Sequence, residues 1–358
     1  MTKSAKENLK TYKSLVDKEL EVYFKKEVQK AKSVSPFSAR VIKDLRDSTL
    51  RGGKRLRAAF VYYAYKLLGG RKIKEIIKTS SFIEVLHSYL LIEDDIMDQS
   101  DTRRGGDTLH TIYQKYHKKH FHKRDPLHFG ESLAITVGLV GCHLSINILN
   151  NSNFSEKYKV KAINAVNENI IATAFGQIHD ILLEVKDQVK KEDILLVQLL
   201  KTAKYTYETP LYVGAILAGA NKRDLKLLSE YAIPAGIAFQ IQDDILGMFG
   251  DEERIGKPVD SDLKEGKQTL LIIKALERAS KADTKKIMEA LGNPQVTKGQ
   301  LKTIQEIMIK TGSYDYSKKL ARKYVRKAQK ALEKMDKWNI EGKAFLAGIA
   351  QYMIERDI

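Results

Sequence analysis

The chain is poor in the residues that would announce several large classes of protein. It has one cysteine, Cys142, in 358 residues. That excludes an intrachain disulfide framework and every multi-cysteine metal site. Six prolines exclude a proline-rich linker protein, and runs of strand-like alternation are absent. The longest apolar stretches are read as broken by charge or glycine short of the ~20 residues a membrane span needs. The opening MTKSAKENLK is charged and lacks the apolar core of a signal peptide. A soluble protein of the cytoplasm is the expectation.

What is present points to helices. Apolar residues make up 43% of the chain and charged ones 30%, too apolar a mixture for a disordered protein. Helical spacing runs through Tyr12–Tyr23, Leu56–Leu67, 74–98, 130–149, 155–185, 191–219, 224–249, 267–279, 283–291, 298–310, 314–335 and 342–356. The expected fold is all-α, roughly a dozen helices in one domain over 1–358, because connections are short and no linker separates two halves. The net charge of +17 fits a polyanionic partner, an anionic substrate or membrane surface, or a Lys-rich solvated surface. No basic stripe is interleaved with aromatics in the way single-stranded nucleic acid requires, so no nucleic-acid partner is expected. Residues 110–128 hold five of the eight histidines among lysines. Such a tract can bind transition metals; the reading adopted is a solvated surface loop.

The strongest chemical signal is the run Glu93-Asp94-Asp95-Ile96-Met97-Asp98 at the end of an apolar helix. Residues four apart share a helical face, so Asp94 and Asp98 project together with Asp95 beside them. Three like charges so close need a cation, and oxygen-only ligands suit a hard one, Mg²⁺ above all. A second acidic motif, Gln240-Ile241-Gln242-Asp243-Asp244, follows another apolar run 149 residues later. Either motif alone is weak; two, each at the end of apolar turns, are hard to explain as solvated surface.

Basic partners accompany both. Arg103-Arg104-Gly105-Gly106 follows the first motif, and adjacent arginines can fork onto phosphate oxygens. Arg51-Gly52-Gly53-Lys54-Arg55-Leu56-Arg57 opens a helix, where backbone N–H groups and the helix terminus favour an anion; Lys54 and Arg57, three apart, are expected on one face. Lys257 and Lys267 lie downstream of Asp243. One anion bridged by metal to carboxylates and another held by cations alone suggest two diphosphates, one activated to leave and one passive.

With GGKRLR at 52–57, EVLHSYLLIEDDIMDQSDTRRG at 84–105, GQIHD at 176–180, KT at 201–202, FQIQDDILG at 239–247 and GKPVDSDLKEGKQTLL at 256–271, the chain resembles the trans-isoprenyl diphosphate synthases, most of all the archaeal short-chain ones. The resemblance implies an all-α bundle around a deep apolar cavity, usually a homodimer, that condenses isopentenyl diphosphate with allylic diphosphates. It implies that Asp94, Asp98 and Asp243 hold about three Mg²⁺ ions, with Asp95, Asp244 and Asp180 in the near shell. Arg103, Lys201, Gln240, Lys257 and Lys267 would hold the allylic diphosphate, with Gln177 in its water network. Gly52, Lys54, Arg57, His87 and Arg104 would hold isopentenyl diphosphate. Thr202 and Gln240 fall where the family steadies the allylic carbocation.

In this family the product grows beside the first carboxylate helix. Tyr89 stands five residues before Asp94, about 7.5 Å along the axis, with Leu90 and Leu86 as smaller neighbours. That pattern resembles geranylgeranyl diphosphate synthases; a farnesyl or mixed product is the near alternative. Gly130-Glu131 replaces the usual Gly-Asp pair, and the segment 114–126 is longer than usual. A terpene cyclase would need a different second metal motif, and a non-catalytic helical subunit would be expected to lose aspartates that are all present. Peripheral contact with an anionic membrane is a further expectation.

Overall fold

The computed structural model describes residues 2–250, 259–335 and 338–355, with side chains from Ala5 onward. Helices follow one another along the chain: α1 Thr2–Lys32, α2 Pro36–Leu50, α3 Leu56–Leu67, α4 Ile73–Met97, α5 Leu109–His120, α6 Pro126–Asn150, α7 Glu156–Glu184 and α8 Lys191–Val197. A π-helical stretch, Gln198–Glu208, joins α8 to α9 Thr209–Leu217. Then come α10 Lys222–Phe249, the one-turn α11 Ser261–Lys264, α12 Leu270–Leu276, α13 Lys281–Ala290, α14 Lys298–Lys310, α15 Ser313–Glu333 and α16 Ile340–Ile354. The all-α expectation holds. Among the described residues the exception is a two-stranded hairpin, β1 Thr102–Arg103 with β2 Gly106–Asp107.

The sequence reading passed over α2. Its local signals are ordinary ones: Ser35 caps it by accepting from the Ser38 N–H, and Pro36 occupies the first turn, where its missing donor costs nothing. Ala39, Ile42, Leu45 and Thr49 then recur at helical spacing and are buried.

Residues 110–128 are not a loop, which corrects the expectation. Residues 109–120 form α5, and only 121–125 connect it to α6. His110 and His117 are buried, because they lie on the inward face of α5. Among the described residues no three side chains of this segment gather into a group that could hold a metal ion.

The membrane reading also needs amendment. Helix α6 is long and apolar enough, by length and composition, to cross a membrane. It packs in the bundle, with Gly138 and Gly141 set against Tyr89 of α4.

Buried apolar side chains form two clusters. The larger joins α1–α7 to α9, α15 and α16, around Phe60, Phe82, Tyr207 and Phe345. The second is built from α10 and the helices after it, around Ile241, Ile245, Leu271 and Met308. Helix α10 serves both: Ala235 and Ala238 face the first, Ile237, Ile241 and Ile245 the second. That clamps the end of α10, with its Asp243 and Asp244, between the two.

Candidate active site

Asp98 caps the C-terminal end of α4, its N–H bonding to the Asp94 carbonyl. Acids at a helix C-terminus are disfavoured by the dipole, so the cluster must be compensated. Three cations do this. Arg103, on the hairpin, donates from Nε to Asp95 Oδ1 at 2.5 Å and reaches Asp94 Oδ2 at 3.3 Å. Lys201 bridges Asp94 Oδ1 at 3.3 Å and Asp180 Oδ2 at 2.7 Å. Lys267, just before α12, donates to Asp98 Oδ2 at 2.9 Å.

The electrostatics separate the three acids. Burial pushes the Asp95 carboxyl up to about 6 against the pull of Arg103. Burial and then the Asp94 charge raise Asp98. At Asp94 burial is outweighed by Lys201, Lys267 and Arg103, and the carboxyl is held below its ordinary value. Burial works against the charge on Lys201 and Lys267, but the surrounding carboxylates, Asp94 foremost for Lys201 and Asp98 for Lys267, raise both amines.

Lys201 and Thr202 are delivered by the π-helical stretch. Pro210 has no N–H to give the Thr206 carbonyl, so the regular ladder cannot continue; the Thr209 hydroxyl instead donates to the Lys204 carbonyl at 2.8 Å. Two glycines let neighbours close on the widened turn. A Cβ at Gly176 of α7 would stand 2.4 Å from the Lys201 nitrogen, and one at Gly236 of α10 would stand 2.5 Å from Ala203 Cα. The single periodic pattern read over 191–219 contains this change of pitch without revealing it. Thr202 Oγ1 donates to Gln240 Oε1 at 2.7 Å, and Gln240 Nε2 donates to Asp244 Oδ1 at 2.7 Å. Gln198 Nε2 supplies a second donor to Asp244, at 3.0 Å. Asp243 is half-buried on the same turn.

The second basic group forms its own pocket. Arg57 Nη1 lies 3.1 Å from His87 Nε2, and Nη2 donates to Thr206 Oγ1 at 2.8 Å. A guanidinium only donates, so His87 Nε2 accepts and the ring is neutral with its proton on Nδ1. Burial, then Arg57 and Arg104, lower the His87 pKa well below its usual value. His87 Nδ1, Arg57 Nε and Arg55 Nη2 are all buried without a hydrogen-bond partner. Orphaned buried donors converging beside excess positive charge describe an anion site. Burial and then Arg55 hold Arg104 down to about 10. Gly52 and Gly53 have φ of +67° and +86°, and a Cβ on either would press on the Arg104 side chain, at 3.3 and 3.2 Å.

Not every expected residue joins these two groups. Lys54 does not share a helical face with Arg57, because α3 begins only at Leu56; Lys54 Nζ sits 5.5 Å over the Tyr352 ring of α16. Among the described residues Gln177 Nε2 reaches Met97 Sδ, at 3.6 Å. Lys257 lies outside the described residues. Tyr89 is half-buried against Gly138 and Gly141 of α6, and Leu86 is buried while Leu90 is half-buried against the core.

The sequence reading missed the frame that holds the pockets. Arg55, in left-handed conformation at φ 54°, donates to Asp17 of α1 at 2.6 Å and to Glu84 of α4 at 3.5 Å. Arg51 Nη1 donates to the Asp107 carbonyl at 2.8 Å, tying the glycine loop to the hairpin. Only an acid at Glu84, mid-helix among apolar residues, signalled this in the sequence.

The donor set of the acidic group is all oxygen, without histidine or thiolate, and so fits a hard divalent cation. Lysine and arginine already stand where such a charge is needed.

The polyprenyl synthetase family profile matches residues 39–308. A geranylgeranyl diphosphate synthase of Sulfolobus acidocaldarius is 36% identical over 308 residues, 85% of this chain and 87% of that one. A geranylfarnesyl diphosphate synthase of Aeropyrum pernix is 33% identical, over 85% of this chain and 91% of that one. The structure superposes on a Corynebacterium glutamicum geranylgeranyl pyrophosphate synthase, solved with isoprenyl diphosphate and magnesium, at a TM-score of 0.92. That match covers 98% of this chain and 99% of the other at 28% identity.

Proposed function

Because the chain belongs to the polyprenyl synthetase family, we propose that it condenses isopentenyl diphosphate with allylic diphosphates, ending at the C20 geranylgeranyl diphosphate. The observation that carries this reading is the pairing of two unlike anion sites. One is a carboxylate cluster laced with cations; the other is a carboxylate-poor pocket of orphaned donors around Arg57 and His87.

Asp94, Asp98 and Asp243 would hold Mg²⁺, about three ions. Bound there, the metal supplies Lewis-acid stabilisation of the departing diphosphate. Arg103, Lys201 and Lys267 hold the allylic diphosphate from the protein side. Its C1–O bond breaks to leave an allylic cation, which the paired Thr202 and Gln240 oxygens face. The isopentenyl double bond attacks that cation. Arg57, Arg104 and the Nδ1–H of His87 keep the second diphosphate fixed while its C=C reacts. The departing diphosphate takes the proton that restores a double bond, so no side-chain base is required. Tyr89 would close the growing product's path.

We further infer a homodimer. Ile171, Phe175, Ile178 and Leu182 follow one face of α7 and are each more than half exposed, as is Leu139 of α6 at 55%, with Ile135 beside it at 49%. A patch of this kind is costly to leave in water. Light scattering on wild type and Phe175→Lys tests this, with monomer expected for the variant only.

The activity test uses purified protein with Mg²⁺, labelled isopentenyl diphosphate and farnesyl diphosphate. A labelled C20 diphosphate is expected. Absence of any incorporation rejects the reading, and products ending at C15 from dimethylallyl diphosphate would replace it with a farnesyl synthase.

A further inference from the structure

The turn between α5 and α6 is built without reference to either anion site. His117, buried on α5, donates from Nε2 to the Lys123 carbonyl at 2.8 Å and packs on the Phe129 ring at 4.9 Å between centroids. Asp125 caps α6 by accepting from the His128 N–H at 2.8 Å. The turn is thus pinned from inside, and what it presents outward is fixed.

Every residue from Lys118 to Asp125 is exposed. Lys118, Lys119, Lys123 and Arg124 form no ion pair among the described residues. The first two close the last turn of α5, where a cation suits the helix dipole. Lys123 and Arg124 have no such use: they stand immediately before α6, at the end where the dipole disfavours positive charge. Between and beside the four cations, Phe121 and Leu127 are 45% and 47% exposed.

The position of this tip follows from how α6 crosses α4. Gly138 lies against both Glu93 and Tyr89, and Gly141 against Tyr89, so the two helices run antiparallel. From Gly138 back to Pro126 is twelve residues, about 18 Å at the helical rise. The tip therefore extends beyond the end of α4 that carries Asp94 and Asp98.

We propose that this tip, Lys118, Lys119, Lys123 and Arg124 with Phe121 and Leu127, docks the protein on an anionic lipid surface. Cations attract the leaflet while two apolar side chains enter the headgroup region, a combination that a solvated face or a purely polyanionic partner does not call for. The inference stands apart from the condensation chemistry, since binding is read without turnover.

The test is co-sedimentation with phosphatidylcholine vesicles, with and without phosphatidylserine, at low and high salt. Wild type is expected to bind only the anionic vesicles and to be released by salt. Each basic residue near a charged leaflet is worth roughly fivefold in partitioning. The variant K118Q/K119Q/K123Q/R124Q should therefore lose on the order of a hundredfold or more. F121S/L127S should weaken binding while leaving its salt dependence intact. The four cations are exposed, so the quadruple variant should keep the wild-type melting temperature and condensation activity in vesicle-free buffer; F121S/L127S, which loses the packing of Phe121 on His117 and Phe129, should melt lower while keeping that activity. Wild type that ignores anionic vesicles, or a quadruple variant that binds them as wild type does, overturns the proposal. So does a DNA duplex that binds more tightly than the vesicles, which would assign the tip to nucleic acid.

Discussion

Replacing Arg55 by Met tests the frame of the site together with the Nη2 donor that Arg55 leaves unpaired in the Arg57–His87 pocket. The Arg55 side chain is 2% exposed and faces Asp17, 24% exposed, and Glu84, 4% exposed. Met keeps the length and apolar packing of the stem and adopts the left-handed backbone no worse than Arg. It leaves the Glu84 carboxylate buried without its counter-ion, and breaking a buried pair from one side costs about 3–5 kcal/mol. The Ala58 N–H still donates to Glu84 Oε1 at 3.0 Å, which offsets roughly 1 kcal/mol, so about 3 kcal/mol is expected. At ~2.1 cal/mol/K per residue, the unfolding entropy of this chain is near 0.75 kcal/mol/K, and the melting temperature should fall by about 4 °C. The double variant Arg55→Met/Glu84→Gln should recover most of it, because the amide oxygen still accepts from Ala58 and no charge is stranded. In kinetics, loss of the Arg55 Nη2 donor and loosening of the Gly52–Lys54 loop should together raise KM for isopentenyl diphosphate. If one hydrogen bond to a charged group is lost, worth about 1.5 kcal/mol, the rise is roughly tenfold, with KM for the allylic substrate unchanged. Scanning fluorimetry and initial rates measure both. Equal destabilisation of the single and double variants, or a melting shift under about 1 °C, refutes the reasoning.

Asp94→Ala and Asp243→Ala should each lower condensation by on the order of 10²–10³ or more, and chelation should abolish wild-type activity until Mg²⁺ is restored; full activity in either variant removes its residue from the metal site. Tyr89→Ala should shift products beyond C20 by opening space against Gly138 and Gly141, read by thin-layer analysis of the dephosphorylated products; an unchanged distribution sinks the assignment. His87 has a folded pKa below its unfolded value, so its contribution to stability is complete above about pH 6.5 and is lost as pH falls below that. Urea denaturation should show the stability gap between wild type and His87→Gln constant above that pH and shrinking below it, by at most ~1.4 kcal/mol per unit; parallel curves would contradict a neutral buried ring.

The helices and acidic motifs were legible because both are local. Apolar spacing marks a helix, and Asp at the end of an apolar run has no packing use. What the sequence hid depends on partners far along the chain. Arg55 meets Glu84 and Asp17 across separations of 29 and 38 residues, and no spacing rule reports such a pair. The π-helical stretch was hidden for another reason: the widened turn is set by Pro210 and by the close approach of Gly176 and Gly236, which no local spacing reports. The histidine tract misled because composition says nothing of face. His110 and His117 recur at helical spacing and turn inward, while His120, His122 and His128 are exposed.

The charge balance at the acidic cluster has a consequence for the order of binding. Asp94, Asp95, Asp98 and Asp180 face Arg103, Lys201 and Lys267, and Asp95 titrates near 6. Each of these carboxylates is therefore already paired with a cation, and each cation with at least one carboxylate. A divalent cation arriving alone meets carboxylates already paired, and a diphosphate arriving alone meets cations already paired. Asp94 and Asp98, with Asp180 in the near shell, would hold the cation while Arg103, Lys201 and Lys267 would hold the diphosphate, and binding of either would release partners for the other. Affinity for either should accordingly be weak alone and strong jointly. That coupling resides in a handful of residues at the end of one helix, and the surplus of positive charge over the rest of the chain contributes little to it, because exposed charges beyond about 10 Å are screened by salt.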